Sequence, residues 1–271
     1  DLHPEARRQR QMCIRDRQWV KRIPHNKLLV NIALIAGVSL FLELVLIRWQ
    51  QSQFMVFLLH KNFTLLACFC GLGIGYARAK QPPFLLGACI PVLLTTILLL
   101  VLLRYGTDKY LIMYLLKAMP AETISLWNNV AIRSDNILLT AVSFLPIAFL
   151  LLAVFVLNVL ICLPVGQFAG QLMEQHKRPI QAYGANLLGS IIGVFALLVM
   201  SYFWTSPVIW FSICLFALLW FLIEIRQALK VGLVATLVGL VVLAWPIDSM
   251  VKYIYSPYQL VQKFTYNSGF Q

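Results

Sequence analysis

"NILLTAVSFLPIAFLLLAVFVLNVLICLPVGQFAGQLM", residues 136–173, contains no Asp, Glu, Lys or Arg. A helix needs about 20 apolar residues to cross a hydrocarbon layer of ~30 Å, and this stretch exceeds that length. In hydrocarbon the backbone N–H and C=O groups must find partners within the chain, so the segment is expected to be helical. It is long enough for a tilted helix that continues past the membrane, with Pro146 and Pro164 as the two positions where it can kink.

The rest of the chain reads the same way. Hydrophobic residues make up 61% of the 271 and charged residues 12%, against roughly a quarter charged in a soluble domain. Apolar runs place membrane spans near 28–47, 62–77, 84–103, 137–163, 184–204, 207–223 and 229–246. The expected fold is therefore all-α and polytopic, with about seven transmembrane helices over residues 18–247. "TSP" at 205–207 is all that joins the fifth and sixth runs, which predicts a tight antiparallel hairpin. The loop 104–136, with "YLIMYLLKAMPAETISLW", is expected to lie along the membrane surface.

The net charge of +12 does not point to nucleic acid, because Lys and Arg sit between apolar runs, as anchors and orientation signals do. With the N-terminus inside, the inner connections hold Lys21, Arg22, Lys27, Arg78, Lys80, Lys177, Arg178, Arg226 and Lys230. The outer ones hold Arg48, Lys61, Arg104, Lys109, Lys117, Arg133 and Lys252. That balance leans towards an inner N-terminus, and seven crossings would then carry Tyr255 onward to the outside. Residues 1–17, "DLHPEARRQRQMCIRDR", lack the apolar core of a signal peptide. "MCIRDR" looks like a translated sequencing-adapter end, so this segment reads as non-native or as a disordered basic tail.

No catalytic constellation is legible. His3, His25, His60 and His176 are scattered. Cys68, Cys70, Cys89, Cys162 and Cys214 lie within apolar runs and read as small hydrophobes, with no metal site expected. "GLGIGY", 71–76, continues an apolar run and lacks the strand and water access of a phosphate loop, so its glycines are expected to pack helices. Ala185, Gly189 and Gly193 in "AYGANLLGSIIG", 182–193, recur every four residues and predict a second close-packed seam. Asn186 stands beside that stripe as a bridge between helices or a polar lining.

Glu43 and Arg48, in "LELVLIRW", are the one carboxylate and guanidinium close together in a span. They are candidates for a functional pair or for separate anchors near the span's end. With Asn158, they complete the intramembrane polar candidates.

Four stretches together resemble the membrane-bound spermidine synthase-like (polyamine aminopropyltransferase-like) proteins. These are "LELVLIRW" (42–49), "KNFTLLACFCGLGIG" (61–75), "AYGANLLGSIIGVFA" (182–196) and "YSPYQLVQ" (255–262). The likeness spans roughly 28–264 and rests on order and spacing as much as on identities. It implies a membrane domain followed, from about residue 248, by the beginning of a truncated soluble β-containing domain. That domain would transfer an aminopropyl group from decarboxylated S-adenosylmethionine to a diamine such as putrescine, in polyamine biosynthesis. Gln259 and Tyr258 would then lie against the nucleoside donor. The family's Gly-rich donor loop and catalytic Asp are absent, so no catalytic residue and no cofactor of this stretch itself are expected. The implied partners are the lipid bilayer and the missing C-terminal domain, and the implied location is the bacterial inner (cytoplasmic) membrane. The alternative is a transporter- or permease-like integral membrane protein, which calls for polar residues along a central path or an internal repeat.

Overall fold

Long apolar runs dictate the architecture. A computed structural model describes residues 25–54, 57, 61–81, 86–105, 137–223, 225–245, 251–255 and 260–264. Among them are seven α-helices: α1 (His25–Gln53), α2 (Lys61–Ala77), α3 (Cys89–Tyr105), α4 (Ile137–Gln175), α5 (Pro179–Tyr202), α6 (Pro207–Leu222) and α7 (Arg226–Ala244). A turn of 3-10 helix, Leu86–Ala88, leads into α3. Residues 1–17, residues 106–136, where a loop along the membrane surface is expected, and Tyr258 with Gln259 lie outside the described residues.

Five of the helices, α1, α3, α4, α5 and α7, are long and apolar enough to cross a membrane. The other two, α2 and α6, are apolar but shorter. Large hydrophobic side chains on α5 point away from the bundle, with Leu188, Ile192 and Phe195 all more than 60% exposed. Hydrocarbon is the solvent that such a face fits, and the chain is an integral membrane protein.

Helix α4 runs from Ile137 to Gln175 as one element, through both prolines. At ~1.5 Å per residue it is about 58 Å long, well beyond the hydrocarbon thickness. Helix α1 also outlasts its expected span, continuing through Trp49 and Gln50 to Gln53. Arg48 and Glu43 are therefore not at a fraying end.

Packing partners follow from where the small residues lie. Gly189 and Gly193 bring α5 against α1: a Cβ at Gly189 would overlap the Ala33 carbonyl, and one at Gly193 the Gly37 carbonyl. Gly71, Gly75, Gly166 and Gly170 bring α2 against α4, where a Cβ on Gly71 would stand 2.5 Å from the Val159 oxygen. Rising numbers meet rising numbers in both seams, so each pair is parallel. Helices α3 and α7 form a looser parallel pair, with the Gly232 position over Ile90 and Gly239 over Leu94 and Ile97. By contrast α1 runs antiparallel to α4 and α6, since Gln50 meets Asn158 and Trp49 meets Phe211 at 5.5 Å, edge to face.

The expected α5–α6 hairpin is correct as a tight turn and wrong as a packed pair. Trp204 takes a left-handed conformation (φ 57°), Thr205 Oγ1 donates to the Met200 carbonyl at 2.8 Å, and Trp210 Nε1 donates to Thr205 Oγ1 at 2.6 Å. Beyond that turn the helices part: α5 lies against α1, and α6 against α7 and α1. The physical reason is shape. The small-residue stripe of α5 fits the backbone of α1, whereas α6 buries bulky Trp210, Phe211, Leu218 and Phe221.

These polarities give the bundle two chemically different ends. Lys27, Arg78, Lys80, Lys177, Arg178, Arg226 and Lys230 gather at one end, among the Lys and Arg whose side chains are described. Arg48 lies towards the other. From that second end, after Ala244, the chain continues to two short strands, β1 (Val251–Tyr255) and β2 (Leu260–Phe264). They pair antiparallel, Val251 opposite Phe264 and Tyr255 opposite Leu260. A two-stranded ribbon does not by itself make a domain.

Candidate functional site: a polar interface between two helix pairs

Helix spacing sorts the buried polar residues into layers. Seven residues separate Glu43 from Gln50, so both lie on nearly one face of α1. Four separate Asn158 from Cys162 on α4, and Thr64 from Cys68 on α2, with the same effect. All of these faces meet at the junction of α1 with the α2·α4 pair.

The first layer is a closed hydrogen-bond ring. Gln50 Nε2 donates to Asn158 Oδ1 at 2.8 Å, and Asn158 Nδ2 returns a bond to Gln50 Oε1 at 3.2 Å. Thr64 Oγ1 donates to the same Gln50 oxygen at 2.8 Å. Gln50 and Asn158 are fully buried and Thr64 nearly so. Unpaired amides would be costly there; paired, they tie three helices together.

The second layer contains Glu43, 1% exposed. Neither carboxylate oxygen has a hydrogen-bond partner among the described residues. Cys162 lies within electrostatic reach of Glu43, with Cys68 and Cys89 nearby. All three cysteines are free thiols. Among the described residues no group of three His, Cys, Asp or Glu is arranged to hold a metal ion.

A third link lies nearer the basic end. Tyr76 Oη donates to Asn186 Oδ1 at 3.1 Å, joining α2 to α5. Beyond it, Gln167 Nε2 donates to the Arg78 carbonyl at 2.9 Å. At the surface Lys80 and Glu174 approach to 3.9 Å, an exposed pair of little energetic weight.

The Glu43–Arg48 pair does not form. Arg48 hydrogen-bonds the Ser201 hydroxyl on α5 and lies over the Trp210 ring at 4.9 Å, while Glu43 faces α4. Their five-residue separation turns them to different sides of α1. Asn186, read as a bridge between helices or a polar lining, accepts from Tyr76 on α2, and Gly189 and Gly193 lie against α1. Ala185 is half-buried against the same core. Gln50 and Thr64 are the residues that sequence reasoning missed. The signal was present in the seven-residue step from Glu43 to Gln50, but Gln50 stood where the apolar run had ended.

No family model, no curated protein and no solved structure matches this chain.

Proposed function

We propose that this chain is the membrane domain of a membrane-anchored spermidine synthase-like protein of the bacterial inner membrane, with all seven helices crossing the bilayer. Its bundle holds the beginning of a soluble domain that moves an aminopropyl group from decarboxylated S-adenosylmethionine to a diamine such as putrescine. In that reaction the amine nitrogen attacks the carbon next to the sulfonium, the C–S bond breaks to release methylthioadenosine, and an Asp of the soluble domain accepts the amine proton. Gln259 and Tyr258 would help hold the nucleoside.

The observation that carries this reading is the switch from helix to paired strands. β1 begins shortly after the last helix, and β1 and β2 bracket Tyr258 and Gln259, where the resemblance calls for a small sheet. The test is to express the whole natural reading frame that contains this segment and assay its membranes for aminopropyl transfer to putrescine. Transfer is expected, with Gln259→Ala weakening donor binding about tenfold, the worth of roughly one hydrogen bond. Absence of both transfer and donor binding overturns the reading.

A transporter- or permease-like role is the second reading, and one specific observation favours it: the polar layers lie between two helix pairs rather than within them. Orientation bears on both readings. The Lys/Arg bias directs the basic end to the cytoplasm, so the chain leaves α7 on the outer side. A nucleoside donor made in the cytoplasm would then have to be passed across by the bundle. An alkaline phosphatase fusion after Ala244 is expected to be active; a fluorescent, phosphatase-silent fusion would put the strands inside and leave the helices as a tether.

A further inference from the structure

Independently of the aminopropyl-transfer reading, we infer that Glu43 is a proton-binding site between the α1·α5 and α2·α4 pairs, closed when the pairs meet and exchanging when they separate. The carboxyl is buried, and both oxygens lack a hydrogen-bond partner among the described residues. A negative charge so placed needs a positive partner. Arg48 does not supply it, being turned to Ser201 and Trp210.

Among the described residues, the titratable group that interacts with Glu43 is the Cys162 thiol on α4, itself near Cys68 on α2 and Cys89 on α3; on α6, Cys214 lies near Cys89. The face of α5 towards α1 carries Gly189 and Gly193. The amide ring stands about 10 Å further along α1, at ~1.5 Å per residue, and none of its hydrogen bonds goes to Glu43.

The positive partner must be small. At this layer the backbones of α2 and α4 are close enough that a Cβ on Gly71 would meet the Cys162 Cβ at 2.9 Å. Among the described residues no three His, Cys, Asp or Glu are arranged to hold a metal ion. A proton needs neither space nor ligands.

The architecture supplies the means of exchange. Each pair is locked internally by backbone contact, while the links between pairs are hydrogen bonds that can break and re-form: Gln50 with Asn158 and Thr64, and Tyr76 with Asn186. Separation of one rigid pair from the other opens Glu43 to water without unfolding a helix.

The test uses the full chain in lipid nanodiscs and infrared difference spectroscopy at neutral pH. A protonated-carboxyl band is expected that shifts slowly in D2O and is missing in Glu43→Gln. Glu43→Asp, should the Gln variant fail to fold, is expected to move the band. Bridging Tyr76→Cys and Asn186→Cys with a bifunctional thiol reagent is expected to slow the deuterium shift by about tenfold or more, because exchange then needs rarer openings. No such band in the wild-type protein, a band unaffected by either Glu43 variant, or exchange untouched by the bridge would overturn the proposal.

Discussion

Inside the α1·α5 and α2·α4 pairs, backbone touches backbone; between the pairs, side chain meets side chain. The first kind of contact sets Gly189 against Ala33 and Gly75 against Leu163. The second includes Gln50, Asn158, Thr64, Tyr76, Asn186 and Glu43, whose carboxylate has no hydrogen-bond partner among the described residues. The difference teaches what each contact can do in a bilayer. Lipid tails are as apolar as Leu, so burying Leu gains little against them. Close van der Waals approach holds a seam permanently, whereas polar groups hold a seam that can trade its partners. This bundle has both kinds of seam.

The contrast can be broken most severely within a pair. Gly189→Leu places a side chain through the Ala33 carbonyl, and no flexible neighbour can yield. A loss of about 3 kcal/mol or more is expected, seen as a collapse of thermal stability in detergent. An unchanged melting curve would mean that the seam is not the one described. Between pairs the effect is smaller. Asn158→Ala leaves Gln50 buried with only its bond from Thr64, at a cost of about 1–3 kcal/mol measured by the same melt.

Arg48→Ala removes the contact with Trp210 and the bond to Ser201, and about 1–2 kcal/mol is expected to go with them. Exchanging Glu43 and Arg48 is not expected to restore what either single replacement loses, because the two side chains serve different neighbours. Gly73→Ala sharpens the comparison from the other side. A Cβ at Gly73 meets nothing within 4 Å, so the variant is expected to gain about 0.5–1 kcal/mol of helix stability. A loss at Gly73 as large as one at Gly71 or Gly75 would show that Gly73 too lies against a neighbouring backbone, and that the seam is not the one described.

Apolar run length made the helices legible, and four-residue spacing made the α5 seam legible before any partner was known. The partners themselves were not. Nothing in "GLGIGY" says that Gly71 and Gly75 face Val159 and Leu163, because complementarity between distant helices leaves no local mark. "TSP" correctly announced a turn but not that the helices part beyond it. Five of the expected spans have the length of a membrane crossing, while α2 and α6 fall short of it. Glu43 and Arg48 were visible as unusual residues. Their separation into different environments depended on α4, α5 and α6 arriving on different sides of α1. Gln50 was hidden by its own polarity, which made a buried helix interior resemble a boundary.

The two tightest seams join helices that are far apart in the chain and run the same way. Parallel neighbours cannot be linked by a short turn, and more than a hundred residues separate Gly37 from Gly189. During synthesis α1 therefore enters the bilayer well before α5 exists to cover its backbone, or α4 to meet Gln50. Until then its glutamine and its carboxylic acid face lipid or the machinery that inserts the chain. Biogenesis is consequently the stage at which this protein is most exposed to failure, and α1 is the helix that needs shelter longest.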